Sequence, residues 1–187
     1  MRAALFLALA PAHLLLAACT VAPVEITIEN AGDSARFISA YDEPEVFVEE
    51  QTATGWRGLA SSVALLCIEQ CGQPGMIVCA DVAPPDGAWV LLPGDSTTVT
   101  FEGEQWIRRD NGLTACADRT ALTGNARFTV CHGTGAETFD GGALDAPAES
   151  GRVGGEPDFV QLIDSVCDTF EFDLAGGRAV TLPIEAP

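Results

Sequence analysis

An all-β sandwich, stapled by disulfides and carrying one long acidic loop, is the fold class the sequence predicts. Three observations predict it. Short runs of alternating apolar and polar residues recur along the chain, as half-buried strands require. Gly- and Pro-bearing turns punctuate them, and no stretch shows the 3.6-residue periodicity and end caps of an amphipathic helix. Six cysteines lie beyond residue 24, an even number that suits a disulfide framework in an exported chain.

Val24 to Asn30 alternates apolar and polar throughout its length. Arg36 to Ala40 and Glu45 to Glu49 are shorter extended runs. Ser62 to Ile68 is more continuously apolar and reads as a buried strand. Pro84-Pro85-Asp86-Gly87 turns the chain into Ala88 to Leu92. Leu92-Pro93-Gly94-Asp95 places Pro and Gly at the two central positions of a type II turn. It leads into Ser96 to Phe101, rich in β-formers. Ala126 to Cys131, Val166 to Leu174 and Arg178 to Ile184 complete the set. Repeated strands with such turns predict a sandwich or barrel. Two stretches read as loops. Trp106 to Thr123 is polar and carries the hairpin signal Asn111-Gly112. Gly133 to Asp158 is rich in Gly, Asp and Glu, and reads as a flexible acidic insertion between two strands.

The six cysteines are Cys67, Cys71, Cys79, Cys116, Cys131 and Cys167. Three disulfides are expected, and the connectivity is open. The favoured pair is Cys131 with Cys167, because each sits in a strand-like run and those runs can be sheet neighbours. The alternative is a metal site using Cys67, Cys71, Cys79 and His132. The Cys67-x3-Cys71 spacing is not that of a zinc knuckle, and no partner knuckle follows.

The chain opens Met1-Arg2 and continues through an apolar run, Ala3 to Leu16, that ends in Leu16-Ala17-Ala18-Cys19. A charged start and a short apolar stretch interrupted by Pro11 and His13 fit a secretory signal better than a membrane span of ~20 residues. The last four residues resemble the lipobox of bacterial lipoproteins. The resemblance implies that residues 1–18 are removed and that Cys19 carries a diacylglyceryl group and an N-acyl chain such as palmitate. Several acyl chains give stable anchoring. Thr20, in the place where Asp marks inner-membrane retention in enterobacteria, implies the outer membrane. Residues 19–23 form the lipidated Cys and its tether, and residues 24–187 the single sandwich domain. Four extended residues before Val24 reach about 14 Å, which keeps the domain close to the lipid surface.

Net charge is −18, with 27 acidic residues against nine basic ones, all of them Arg. Loss of Arg2 makes the mature chain one unit more acidic. Such a chain repels the phosphates of nucleic acid and an anionic bilayer surface.

The sequence carries no persuasive catalytic constellation. His132 is the only histidine after the signal segment. No Gly-x-Ser-x-Gly elbow, P-loop or dinucleotide fingerprint is present. Cys131 and His132 are adjacent in a strand and so face opposite sides, and His132 reads as a solvated strand-end residue. No protein metal centre or cofactor is expected. Calcium is the best small-ligand candidate, because Asp140, Asp145, Glu149, Glu156 and Asp158 offer oxygen ligands within one loop, although neither EF-hand nor RTX spacing is present. Trp56 and Trp106 sit in loop-like contexts and are the better contact candidates; Trp89, in a strand, reads as core.

Ile26 to Asn30, the cysteine-rich middle, Leu91-Leu92-Pro93-Gly94-Asp95-Ser96 and Phe101-Glu102-Gly103 together are similar to uncharacterised myxobacterial-type lipoproteins and, more distantly, to the BsuPI proteinase inhibitors. The resemblance spans residues 24–131 and implies an immunoglobulin-like sandwich. Leu92 stands where the pattern has Pro, and Phe101-Glu102 where it has Trp-Asp. No inhibitor loop can be matched. The expectation is a non-catalytic lipid-anchored envelope protein, structural or contacting an envelope partner. The alternatives are a ligand-binding or proteinase-inhibitor-like module and, third, an envelope enzyme.

Overall fold

The computed structural model describes residues 23–59, 68–70, 77–78, 85–102, 104–108, 115–119, 122–154 and 159–185. In chain order the strands are β1 (Val24–Asn30), β2 (Arg36–Ala40), β3 (Phe47–Thr52), β4 (Gly55–Leu59), β5 (Ile68–Gln70), β6 (Ile77–Val78), β7 (Gly87–Leu91), β8 (Ser96–Phe101) and β9 (Glu104–Arg108), followed by β10 (Ala115–Arg119), β11 (Asn125–Gly133), β12 (Gly135–Thr138), β13 (Ala143–Leu144), β14 (Gly151–Gly154), β15 (Val160–Ile163), β16 (Val166–Asp173) and β17 (Ala179–Ile184). The fold is all-β; among the described residues the only helical element is a 3-10 turn at Leu174–Gly176, and no helix is long and apolar enough to cross a membrane.

The first layer is a three-stranded sheet in the order β17-β1-β8. Its alternation is the one seen in the sequence: Val24, Ile26 and Ile28 point inward and Glu25 outward. On one side β1 meets β17 in parallel, Ile26 opposite Val180. On the other it meets β8 antiparallel, Ile26 opposite Val99. Leu92-Pro93-Gly94-Asp95 forms the expected turn into β8, with Asp95 N–H donating to Leu92 O at 3.0 Å and Gly94 at φ 80°, the left-handed value a type II turn needs.

The second layer centres on β11. One edge pairs with β16 along its length. The other edge is shared: Ala126 to Thr129 pair with β3, and His132 and Gly133 with β2. Thus β2 and β3 run in line, separated by an excursion closed by an Ala40–Pro44 bridge. Strand β7 and then β14 lie beyond β2, and β4 beyond β3. Ile38, Val48, Leu91, Ala126, Phe128 and Val130 from this layer pack against β1, β8 and β17 to form the main core. Each such side chain larger than alanine contributes roughly 1.5–3 kcal/mol relative to exposure. Trp89 is partly buried and packs against this core.

Much of the stretch read as an acidic loop is sheet. Strands β13-β12-β15 form a third layer over the outer face of β2 and β7, where Ala136 and Val160 close on Phe37, Ala88 and Val90. Leu144, Val153 and Leu162 add to this second core. In β12 and β13 the apolar residues are few and widely spaced, so no run of them signals a strand, whereas Phe159-Val160-Gln161-Leu162-Ile163 around β15 is an apolar-rich run that does. The edge strand β14 of the second layer is tied down by polar contacts as well: Arg152 reaches Asp86 Oδ1 at 2.6 Å and the Tyr41 carbonyl, and Ser150 Oγ accepts from Leu92 N–H at 2.8 Å while donating to Asp95. The switch from β11 into the third layer occurs at Gly133, where a Cβ would lie 2.4 Å from the Ile163 carbonyl oxygen; no side chain fits there. Residues 155–158 of the predicted loop lie outside the described residues.

A fourth sheet orders β6-β5-β10-β9. Two of its strands fall in or run into the other predicted loop, Trp106 to Thr123: β9 and β10 pair antiparallel with Arg108 opposite Ala115, and the turn signal Asn111-Gly112 lies outside the described residues. Of the predicted strand from Ser62 to Ile68, only Ile68 is described, as the first residue of β5.

Candidate functional site

The most chemically dense place in the fold is the β11–β16 pair. Their register sets Cys131 opposite Cys167, and the two form a disulfide across the strands. Side chains alternate along β11: Ala126, Phe128, Val130 and His132 face the core, whereas Arg127, Thr129 and Cys131 face outward. The disulfide is therefore on the outer face, with Cys167 exposed. Thr129 and Thr169 share a 2.9 Å hydroxyl contact on that side.

His132 overturns the expectation of a solvated strand-end residue. It is fully buried, because strand parity places it on the core face with Phe128 and Val130. Its Nε2 lies 2.9 Å from Asp168 Oδ2. Nδ1 is buried with no hydrogen-bond partner among the described residues. The histidine is enclosed while the Asp168 side chain is partly exposed, so the pair is a part-buried polar link between β11 and β16. Arg36 lies on the same inner face two residues before Ile38, the register partner of His132. It is 2% exposed, and its Nε also finds no partner.

The outer face of β11, β3 and β4 carries the tryptophan contact candidate. Trp56 is in β4 rather than a loop, and the Arg127 guanidinium sits over its ring, 4.5 Å from the centroid. Arg127 Nε also donates to Glu49 Oε2 at 2.7 Å, while on the other face of the β3–β4 pair Arg57 meets Glu50 at 2.6 Å. Trp56 is thus engaged by its own sheet. Trp106 lies in β9 opposite Ala117.

Asp140 sits in the turn after β12. Its carboxyl is held below the usual carboxylate range, first by the hydrogen bond from the Thr138 hydroxyl and then by the Gly142 backbone. Asp145 and Glu149 are exposed. Among the described residues no three His, Cys, Asp or Glu side chains gather as a metal site, so Asp140, Asp145 and Glu149 do not converge on calcium; Glu156 and Asp158 lie outside the described residues. So do Cys19, Cys67, Cys71 and Cys79, while Cys116 falls in β10.

Sequence reasoning missed Phe139. It follows β12 and is 81% exposed. The available signal was an isolated aromatic residue set directly before Asp140-Gly141-Gly142, where a turn would display it.

Comparison with family models, with curated proteins and with solved structures finds no match to this chain.

Proposed function

We propose that this chain is a lipid-anchored protein of the cell envelope, without a catalytic site of its own, that supports the envelope or contacts another envelope protein. The observation that carries the reading is Leu16-Ala17-Ala18-Cys19 at the end of a short apolar export segment. The position of the fold relative to that cysteine supports it: β1 begins at Val24, so a short tether leads directly into a strand held on both edges. The buried His132 and the engaged Trp56 favour a scaffold over an open reactive cleft. The outer membrane, facing periplasm or exterior, is the proposed location. An immunoglobulin-like plan is part of the proposal: two packed sheets support it, while the parallel β1–β17 pairing and the third layer over β2 and β7 extend the antiparallel two-sheet arrangement.

The test is intact mass and membrane fractionation of the native protein beside Cys19→Ala. The expected result is a chain starting at Cys19, heavier by a diacylglyceryl and an acyl group, in the membrane fraction, with the variant released in soluble form. A native protein that is unlipidated and soluble overturns the anchor.

A further inference from the structure

Phe139 and Phe159 form an exposed aromatic pair. Phe139 N–H donates to Phe159 O at 2.9 Å, extending the β12–β15 ladder one step beyond the Thr138–Val160 pair. The two phenylalanines are therefore cross-strand neighbours. Ala136, Val160 and Leu162 face the second core, so parity turns Phe139 and Phe159 to the outside with Glu137 and Gln161. Phe139 is 81% and Phe159 41% exposed.

The display is rigid. Thr138 N–H donates to Gly142 O at 2.8 Å and Gly141 N–H to Thr138 O at 2.8 Å. Gly142 N–H donates to Thr138 Oγ1 at 3.0 Å, and that hydroxyl also bonds Asp140 Oδ1. Gln161 Nε2 bonds Glu137 Oε1 at 2.6 Å beside the pair. A turn bonded this closely holds Phe139 in water at a standing hydrophobic cost that internal packing does not offset. Aromatic side chains displayed on a hydrogen-bonded turn make suitable anchors of protein interfaces, since little backbone freedom is lost when they dock.

We propose that Phe139 and Phe159 are the docking anchor for a protein partner presenting an apolar socket rimmed by Lys or Arg. Charge selects this occupant. Glu137 and Asp140 flank Phe139 in the chain, and the whole molecule carries −18. A second copy would bring the same charge and be repelled, and an anionic lipid surface would repel it as well. A basic rim is attracted, and its cations can also meet the phenylalanine faces. The proposal names the surface used by the contact role proposed above and rests on that reading.

The test places the photocrosslinking residue p-benzoylphenylalanine at position 139 of the full-length, membrane-anchored protein in intact cells, with position 169 on the outer face of β16 as the control site. The expected result is one discrete crosslinked protein at 139 and not at 169. The purified partner should then bind wild type in a salt-sensitive way and bind the Phe139→Ser/Phe159→Ser double variant at least 30-fold more weakly, about the size of an interface hot spot. Both side chains are on the surface, and unchanged circular dichroism of the variant checks that the fold is kept. Crosslinks only to a second copy, only to lipid, or to nothing at all overturn the proposal. A crosslinked partner at 169 but not at 139 overturns this surface while leaving the contact role intact.

Discussion

Arg36 and His132 occupy the same inner face of neighbouring strands, and each buries a nitrogen that finds no hydrogen-bond partner among the described residues. Buried polar groups are normally satisfied, and a buried nitrogen left without a partner costs about 1–3 kcal/mol. Replacing Arg36 with the similarly long, uncharged Met removes that cost. Arg36→Met should stabilise the protein by about 1–3 kcal/mol. Urea unfolding followed by circular dichroism measures it. Asp168→Ala should act in the opposite sense by about 1 kcal/mol, because His132 then loses its Nε2 partner. A destabilised Arg36→Met would mean that the guanidinium has a necessary partner.

The Cys131–Cys167 bridge closes a loop with a sequence separation of 36. Chain-entropy reasoning assigns such a crosslink about 3–4 kcal/mol. The Cys131→Ala/Cys167→Ala double variant should lose that amount in denaturant unfolding, and reductant should lower the unfolding midpoint of the wild type but not through this bridge in the variant. A variant as stable as the wild type would show that strand pairing alone holds β11 to β16.

Two carboxyl groups should titrate in opposite directions. Asp140 lies below its ordinary value because the Thr138 hydroxyl and then the Gly142 backbone bond its ionised form. Its contribution to stability is present above the unfolded-state value and is lost as pH falls through the lower folded value. Glu45 is raised by burial; what it contributes is present below its unfolded value and is lost as pH rises through the folded one. Carboxyl NMR across the acid range measures both. Thr138→Val should move Asp140 upward and leave Glu45 unchanged; an unmoved Asp140 would remove the hydroxyl as the cause.

The parts of the fold that were legible in the sequence are those where a single local rule dominates. β1 alternates without exception, Pro93-Gly94 specifies its turn, and Cys131 and Cys167 sit in two runs that proved to be neighbours. His132 was misread because its residue type was weighed above its position: it continues the inward set of Ala126, Phe128 and Val130, and parity alone would have buried it. The third layer escaped because its strands are two to four residues long and draw their apolar contacts from β2 and β7, far away in sequence. Strand β4 and its pairing with β3, itself foreseen in part as Glu45 to Glu49, escaped for a similar reason. The outward face of the pair is built from Glu49, Gln51 and Trp56, whose contacts with Arg127 and Asn125 of β11 exist only once the strands have paired. The Phe139–Phe159 pair depends on a register between strands that no local pattern reveals.

The parallel pairing of β1 with β17 sets an order of events in time. Strands β1 and β8 can meet once residue 101 has been made, but the remaining edge of β1 has its partner only when Ile184 exists. Until then the apolar side of β1 lacks Val180, Leu182 and Ile184, three of the residues that cover it. β1 is thus completed by a strand far along the chain, a long-range closure that slows folding and leaves a strand edge open to other chains meanwhile. A newborn chain of this protein is therefore open to pairing with its siblings until β17 arrives.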